Sequence, residues 1–249
     1  MSARVVTAQV SRYLSSPRMT PYLRAASNDR ELALALYQWN LQLAAALQEV
    51  LGVVEVVVRN SIDEQLRAWN PTRGRDHLTG QDYPPEWTTL PAAPLAGLVA
   101  SAVRQARDHA KAAQGSREPK HPRRNAPVCH DDILAQLTFG LWRKLLPPAN
   151  PKKAGLQALW THALADSFPH VGQDPANQTI AAEVLVHGRL DRIVKLRNRA
   201  AHMEPLLEAN IPGRLSDCMH LLGYVSPHTR DWCAGMSRVT EINNTRPQP

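Results

Sequence analysis

The chain has 249 residues, a net charge of +7 and a pI near 9.7, and 43% of its residues are hydrophobic while only 5% are aromatic. Its three cysteines are widely spaced and odd in number, which fits a reducing compartment better than a disulfide framework. The most apolar run, 51–58, is far shorter than the roughly 20 residues that span a bilayer, and residues 1–14 lack the apolar core of a secretory signal. A soluble cytoplasmic protein with no membrane partner is expected.

Ala and Leu dominate the apolar residues. This favours packed helices over sheets, because strands are enriched in β-branched and aromatic residues. We therefore predict an all-α fold, formed by a single helical domain over residues 1–249. Clusters of Pro, Gly and polar residues predict loop-rich insertions at about 70–95 and 115–130, and a flexible tail from about 243.

A long helix is predicted from about Glu31 to Trp69. Asn28 stands three residues before Glu31 and is typical of an N-cap with its capping-box partner. The stretch exceeds a typical globular helix, so Gly52 is expected to mark a kink or a break. Apolar residues recur along it at helical spacing: Leu32, Leu36, Leu43, Leu47, Val50, Val54, Val57, Val58, Ile62 and Leu66.

The second half of the chain also has helical patterns. Asp131 and Asp132 are predicted to begin one helix that carries leucines as far as Leu146 and ends at Pro147. The other helices are predicted at about 96–114, 154–168, 177–203 and 213–224, and from Pro227 after an N-cap at Ser226.

The positive charge is concentrated in residues 101–153, which contain eleven Lys or Arg and four Asp or Glu. Such an excess favours a polyanionic partner but also serves solubility. The helix at 96–114 has a basic face formed by Arg104, Arg107 and Lys111. The run from Arg117 to Arg124, with Arg123 and Arg124 as candidates, is expected to contact phosphate if the protein binds RNA, although such runs are more often solvated loops.

The aromatic residues and the potential metal ligands occur in different contexts. Tyr83 and Trp87 fall in a polar loop and are the better candidates for stacking on bases. The run Cys129–Asp132 lacks a second Cys or His pair at zinc-site spacing, so it is interpreted as a loop entering a helix, and neither a metal nor a cofactor is expected. Four aromatic residues lie in apolar helical patterns and are predicted to be core: Trp39, Phe139, Trp142 and Trp160.

Three stretches together resemble the Abi-like (abortive infection) branch of the HEPN superfamily. The first is 36–40 (LYQWN), running into 55–60 (EVVVRN), and the second is 131–142 (DDILAQLTFGLW). The third is 196–205 (LRNRAAHMEP), which contains an Arg-x4-His motif. The resemblance implies a HEPN-like helical bundle that often forms a homodimer, in which the Arg and His of each copy line a shared cleft.

The resemblance also implies an activity. Relatives with an intact motif are typically metal-independent endoribonuclease toxins of phage-defence or toxin–antitoxin systems. Arg197 and His202 match the two fixed positions of the motif, and Asn198 matches the polar residue that usually follows the arginine. RNA would be the substrate, a second copy the structural partner, and an antitoxin or small RNA a further candidate partner.

Histidine and arginine suit RNA cleavage because an imidazole exchanges protons near neutral pH and a guanidinium matches a phosphate with two parallel donors. Five residues at about 100° each separate Arg197 and His202 by about 140° on an ideal helix. Either the helix distorts near its end or residues from two copies meet across a two-fold axis. We expect the dimer.

Supporting roles are less specific. Arg199 is a candidate RNA contact, and Glu204 a candidate to orient the imidazole or bond the backbone. Arg59 and Asn60 are candidate phosphate contacts, although a structural bridge from Arg59 to Glu55 or Asp63 is the favoured interpretation. Two alternatives to an enzyme stay open: a non-catalytic RNA-binding module, and an interaction protein whose basic surface docks an acidic protein.

Overall fold

The computed structural model describes residues 9–10, 12–150 and 154–248. Within these ranges the extended pairing is limited to one isolated bridge, between Arg75 and Asp82, so the all-α prediction is confirmed. The helices are α1 (Ser16–Ala25), α2 (Arg30–Trp69), α3 (Leu95–Gly115), α4 (His130–Leu134), α5 (Phe139–Leu145), α6 (Ala154–His162), α7 (Ala182–Ala201), α8 (Ile211–Val225), α9 (Pro227–Met236) and α10 (Val239–Asn244).

Helix α2 confirms the predicted long helix, and it is uninterrupted at Gly52, so the predicted break there is wrong. Its N-cap lies one residue later than predicted. The Asp29 carboxylate accepts hydrogen bonds from the backbone N–H groups of Glu31 and Leu32 at 2.8 and 3.1 Å. Asn28 has φ +68°, a left-handed conformation that an N-cap residue does not normally adopt.

By length and composition alone, the helical stretch Arg30–Arg73 is long and apolar enough to cross a membrane, and 44% of its most apolar 18-residue window is buried. Core helices of soluble proteins pass the same test. The expectation that this protein has no membrane partner therefore stays a prediction.

The described residues cluster into two compact units, whereas the sequence predicts one domain. Unit 1 contains the described residues up to Val54 together with 192–223 and 227–248. Unit 2 contains the described residues of 55–191 together with 224–226.

In unit 1, helix α1 packs on the first turns of α2 through a buried cluster of Met19, Tyr22, Ala26, Ala33 and Leu36. Residues near the C-terminus also contact α2. The indole Nε1 of Trp39 donates to the Ile242 carbonyl at 2.9 Å, and the Arg246 guanidinium lies over the Trp39 ring, 5.3 Å from its centroid. Trp39 is only 4% exposed, which confirms it as a core residue.

In unit 2, the first insertion packs against α2 and α4. Trp87 is fully buried, and its indole N–H donates to the Asp63 carboxylate at 2.7 Å. The same Asp63 oxygen lies 2.8 Å from His130 Nε2, and the Thr88 hydroxyl lies 2.8 Å from His130 Nδ1. The base-stacking role predicted for Trp87 is therefore wrong, because its ring has no exposed face.

The second half of unit 2 corrects one predicted helix. The single helix expected from Asp131 to Leu146 is divided into α4 and α5 at residues 135–138, where Thr138 is extended (φ −78°, ψ 150°) and precedes α5 as its N-cap. Leu137 and Phe139 are both buried. Residues two apart point about 200° from each other on a continuous helix, so the break lets both face the core. Phe139, Trp142 and Trp160 are buried as predicted.

Candidate active site at the end of helix α7

The predicted catalytic residues lie at the C-terminal end of α7, in unit 1. Arg197 and Asn198 belong to the last turns of the helix, and His202 directly follows its last residue. The backbone N–H of His202 donates to the Asn198 carbonyl at 3.0 Å, so α-helical hydrogen bonding continues to His202. The helix therefore does not distort between Arg197 and His202, and their side chains leave it about 140° apart.

Helix α7 ends in a Schellman motif, with Met203 in the left-handed conformation (φ +52°). The Glu204 N–H donates to the Arg199 carbonyl at 2.9 Å, and the Met203 N–H donates to the Ala200 carbonyl at 3.2 Å. Glycine is the usual residue at the position of Met203 in this motif. Because methionine occupies it here, the sequence predicts the end of the helix from Pro205 but does not predict the Schellman motif.

The segment 203–207, here called the α7 turn, is fixed by Asn40 of helix α2. Asn40 is fully buried. Its side-chain N–H group donates to the Glu204 carbonyl at 3.3 Å, and its side-chain oxygen accepts from the Leu206 N–H at 2.6 Å. The amide thus satisfies two backbone groups on either side of Pro205. Sequence reasoning missed this role; the available signal was a polar residue inside the apolar pattern of α2.

Three arginines donate to backbone carbonyls of the same turn. Arg18 donates to the Met203 carbonyl at 2.5 Å, Arg246 donates to the Leu207 carbonyl at 2.8 Å, and Arg199 donates to the Pro205 carbonyl. Together with Asn40, these side chains satisfy the carbonyls at 203, 204, 205 and 207. The backbone that follows His202 is therefore held along its length by side chains of unit 1.

The predicted residues at this site differ in exposure. His202 and Asn198 are exposed, and Arg197 is half-buried on the side of α7 that also carries the buried residues Ile193 and Ala200. The Arg199 guanidinium lies 3.8 Å from the Glu204 carboxylate. Because Arg199 also bonds the Pro205 carbonyl, Arg199 and Glu204 support the turn rather than present unoccupied groups to a ligand.

A buried carboxylate fixes α7 to α8 within unit 1. Asp217 is 3% exposed and accepts two hydrogen bonds from Arg192, at 2.9 and 2.6 Å, while Arg214 lies 3.0 Å away. The neighbouring thiol of Cys218 is not a nucleophile at neutral pH, because burial raises its pKa to about 12. Imidazole and guanidinium groups are thus the reactive side chains that this end of α7 offers.

Arg59 and Asn60 belong to unit 2, whereas Arg197, Asn198 and His202 belong to unit 1. The Arg59 guanidinium bonds the Asn60 side chain at 3.2 Å. The predicted bridge from Arg59 to Asp63 is not formed, because Asp63 is buried and bonded to Trp87 and His130. Asn60 lines a groove of about 370 Å³ whose wall includes the carboxylates of Glu64 and Asp166. Those charges disfavour the predicted phosphate contact.

The candidate RNA contact Arg123 is engaged inside unit 2. The Asp132 carboxylate accepts hydrogen bonds from Arg117 at 2.9 Å and from Arg123 at 2.7 Å. A hydrogen bond from the Cys129 N–H, together with these arginines, lowers the pKa of Asp132 to about 2. We call Arg117, Arg123, Cys129 and Asp132 the Asp132 cluster. Arg124 stays exposed and donates to the Arg117 carbonyl.

Cys129 is the N-cap of α4, as the interpretation of that run as a loop entering a helix predicts. The part of the chain that the structure describes contains no group of three His, Cys, Asp or Glu arranged to hold a metal ion.

Comparisons with known proteins do not assign this chain to a family: no family model, no curated protein and no solved structure matches it. The fold and the site define an all-α protein with an Arg-x4-His motif at a braced helix terminus. Any finer assignment depends on the motif residues themselves.

Proposed function

We propose that this chain is a metal-independent endoribonuclease that acts in the cytoplasm as a toxin of a phage-defence or toxin–antitoxin system. The observation that carries the proposal is the placement of His202: an exposed imidazole at the end of a regular helix, followed by a turn whose carbonyls are bonded by Asn40 and three arginines. Catalysis favours such fixed positions, because a catalytic group that is already oriented loses little entropy when it reacts.

The reaction follows from the two side chains. The 2′-hydroxyl oxygen attacks the adjacent phosphorus and the bond to the 5′-oxygen breaks, which yields a 2′,3′-cyclic phosphate and a 5′-hydroxyl end. The imidazole of His202 accepts the proton of the 2′-hydroxyl, and the resulting imidazolium, or water, gives a proton to the departing 5′-oxygen, so that no net proton is gained or lost. The Arg197 guanidinium stabilises the charge that develops on the phosphate oxygens, and the exposed Asn198 amide supplies a further hydrogen bond.

We infer that a second copy of the chain completes the site. Because the helix is regular up to His202, Arg197 and His202 of one chain point about 140° apart. We therefore pair Arg197 of one copy with His202 of the other across a two-fold axis. Ala201 is exposed and small enough for two such helices to approach. Ala200 is fully buried inside its own chain, so it is not part of that contact.

The direct test is cleavage of RNA in the presence of EDTA by the native chain, Arg197→Ala and His202→Ala. We expect each substitution to lower the rate by about 100-fold or more, as the loss of a general acid or base does. His228→Ala is the matched control, because His228 is an exposed histidine of unit 1 outside α7. Cleavage that persists in both variants contradicts the site, and cleavage that EDTA abolishes contradicts the metal-free mechanism.

A mixing experiment tests the shared site. Arg197→Ala and His202→Ala are inactive alone, but a mixed dimer contains one composite centre with both native groups. Random exchange should restore about a quarter of the native activity, since half of the dimers are mixed and each has one intact centre of two. If subunit exchange is verified and activity does not recover, pairing between copies is contradicted. RNA bound in gel shift but never cut would instead support the non-catalytic RNA-binding alternative.

A further inference from the structure

The positive segment 101–153 does not carry its charge evenly once folded. Arg117 and Arg123 bind the Asp132 carboxylate, and Arg143 donates to Asp191 at 2.7 Å. Five other cations of the segment are exposed and form no ion pair within its described residues: Arg104, Lys111, Lys120, Arg124 and Lys144. The charge excess available to a ligand is therefore confined to a few positions.

Helix α3 carries the exposed cations Arg104 and Lys111 on the same face as Arg107. Arg104, Arg107 and Lys111 follow one another at steps of three and four residues, so they share one face. The adjacent face of the helix, about 100° around its axis, is buried through Val99, Val103, Ala106 and Ala110. The Arg107 guanidinium is held in place, because one of its nitrogens donates to the Thr88 carbonyl at 2.7 Å.

Arg107 and Lys111 open into a groove of about 330 Å³ within unit 2. Its other lining residues are Thr89, Gln114, Val128 and Ile133, so the wall contains two cations, two polar side chains and an apolar floor, and no carboxylate. Gln114 donates to the Ala126 carbonyl, which fixes that side of the wall. The groove that Asn60 lines in the same unit is of similar size but contains Glu64 and Asp166.

We propose that the Arg107–Lys111 groove binds a backbone phosphate of single-stranded RNA, with the adjoining ribose or base against Val128 and Ile133. The choice of RNA as the ligand rests on the proposed function. A held guanidinium and an ammonium match a phosphate, and an apolar floor accepts a sugar or a base face in any sequence. A volume of about 330 Å³ lies at the small end of ligand pockets, which suits one nucleotide of a longer strand.

The test measures binding of a fluorescein-labelled 12-nucleotide single-stranded RNA by anisotropy, as a function of salt, on a His202→Ala background that prevents cleavage. Removing both cations (Arg107→Gln with Lys111→Gln) should make the slope of log affinity against log salt shallower by about 0.7, the contribution of one phosphate that is no longer neutralised. Lys111→Gln alone should make the slope shallower by a smaller amount, and it leaves the Arg107 bond to Thr88 intact in case the double variant does not fold.

The matched control is Lys120→Gln with Lys144→Gln, which removes the same charge from exposed positions that do not line the groove. Its slope should stay at the parental value. Equal slopes for the groove and control variants, or no RNA binding by the parent, would overturn the proposal. So would AMP or inorganic phosphate binding as tightly as the RNA, because the ligand would then be a single phosphate compound.

Failure of this inference is distinguishable from failure of the proposed function. If the native chain cleaves RNA in EDTA but the groove variants bind RNA with the parental salt slope, the groove proposal is contradicted and the proposed ribonuclease activity is supported. If the native chain does not cleave RNA but the groove variants bind RNA with a shallower salt slope, the proposed ribonuclease activity is contradicted and RNA binding by the groove is supported.

Discussion

Arginines hold both the α7 turn of unit 1 and the Asp132 cluster of unit 2, but they meet different partners. In the α7 turn, Arg18, Arg199 and Arg246 donate to neutral backbone carbonyls. In the Asp132 cluster, Arg117 and Arg123 bind a carboxylate that is 11% exposed. A carbonyl satisfies a guanidinium without cancelling its charge, whereas a carboxylate cancels it.

The number of basic residues in a segment therefore does not equal the positive charge that a polyanion would meet on the folded chain. The run Arg117 to Arg124 contains four Lys or Arg in eight residues, yet two of its arginines share the Asp132 carboxylate, which cancels one of their charges. The carbonyls of the α7 turn leave the charges of Arg18 and Arg246 uncancelled, whereas Arg199 also lies 3.8 Å from the Glu204 carboxylate. The two regions should also respond differently to acid, because a carboxylate holds the Asp132 cluster together, whereas in the α7 turn a carboxylate takes part only in the exposed Arg199–Glu204 pair.

The largest stability effect is expected for Asn40→Ala. The substitution leaves the buried Leu206 N–H without a partner, at a cost of about 1–3 kcal/mol, and the absence of the bond to the Glu204 carbonyl adds to it. Urea unfolding of the purified chain measures the change. Gln42→Ala, at an exposed position of the same helix, should stay within about 0.5 kcal/mol of the native protein. An unchanged midpoint for Asn40→Ala would show that the amide does not brace the turn.

A smaller loss is expected for Asp132→Asn at pH 7, about 1–1.5 kcal/mol, because Arg117, Arg123 and the Cys129 N–H lose their charged acceptor while the amide oxygen still accepts a hydrogen bond. The folded pKa of Asp132 is about 2, below its ordinary value of 3.8. The stabilisation is therefore complete above about pH 4 and is lost as the pH falls towards 2.

Thermal unfolding of the native chain and Asp132→Asn at several pH values measures this dependence. The difference in Tm should be constant from pH 7 to about 5 and should shrink below pH 4. The difference between native and Asn40→Ala should not shrink in this way, since Asn40 does not titrate. If the Tm differences of both variants shrink equally below pH 4, the proposed difference in acid response between the two regions is contradicted.

The smallest effect, and a stabilising one, is expected for Met203→Gly. Glycine adopts the left-handed conformation without the steric cost of a Cβ, although its unfolded chain has more entropy to lose. We expect a net gain of about 0.5 kcal/mol in the free energy of unfolding. Asn28→Gly is the control, with a smaller gain, because asparagine tolerates φ +68° better than methionine tolerates φ +52°. A loss of stability in Met203→Gly would show that packing of the methionine outweighs its backbone strain.

Periodicity, prolines and glycines were enough to predict the all-α class, the extent of α2 and α3, and the two insertions between helices. These features depend on neighbours within a few residues along the chain. The same local signals misplaced the N-cap at Asn28 by one residue and missed the break between α4 and α5. There, burial of Leu137 and Phe139 outweighs the continuity of the leucine pattern.

The sequence by itself determined the all-α class, the long helix α2 and the position of the Arg-x4-His motif at the end of a helix. Tertiary structure alone decided that Trp87 is buried, that Arg123 pairs with Asp132, and that Asn40 bonds a turn 164 residues further along the chain. Helical periodicity is a property of adjacent residues, whereas the partner of a buried amide or guanidinium depends on which distant segments pack together.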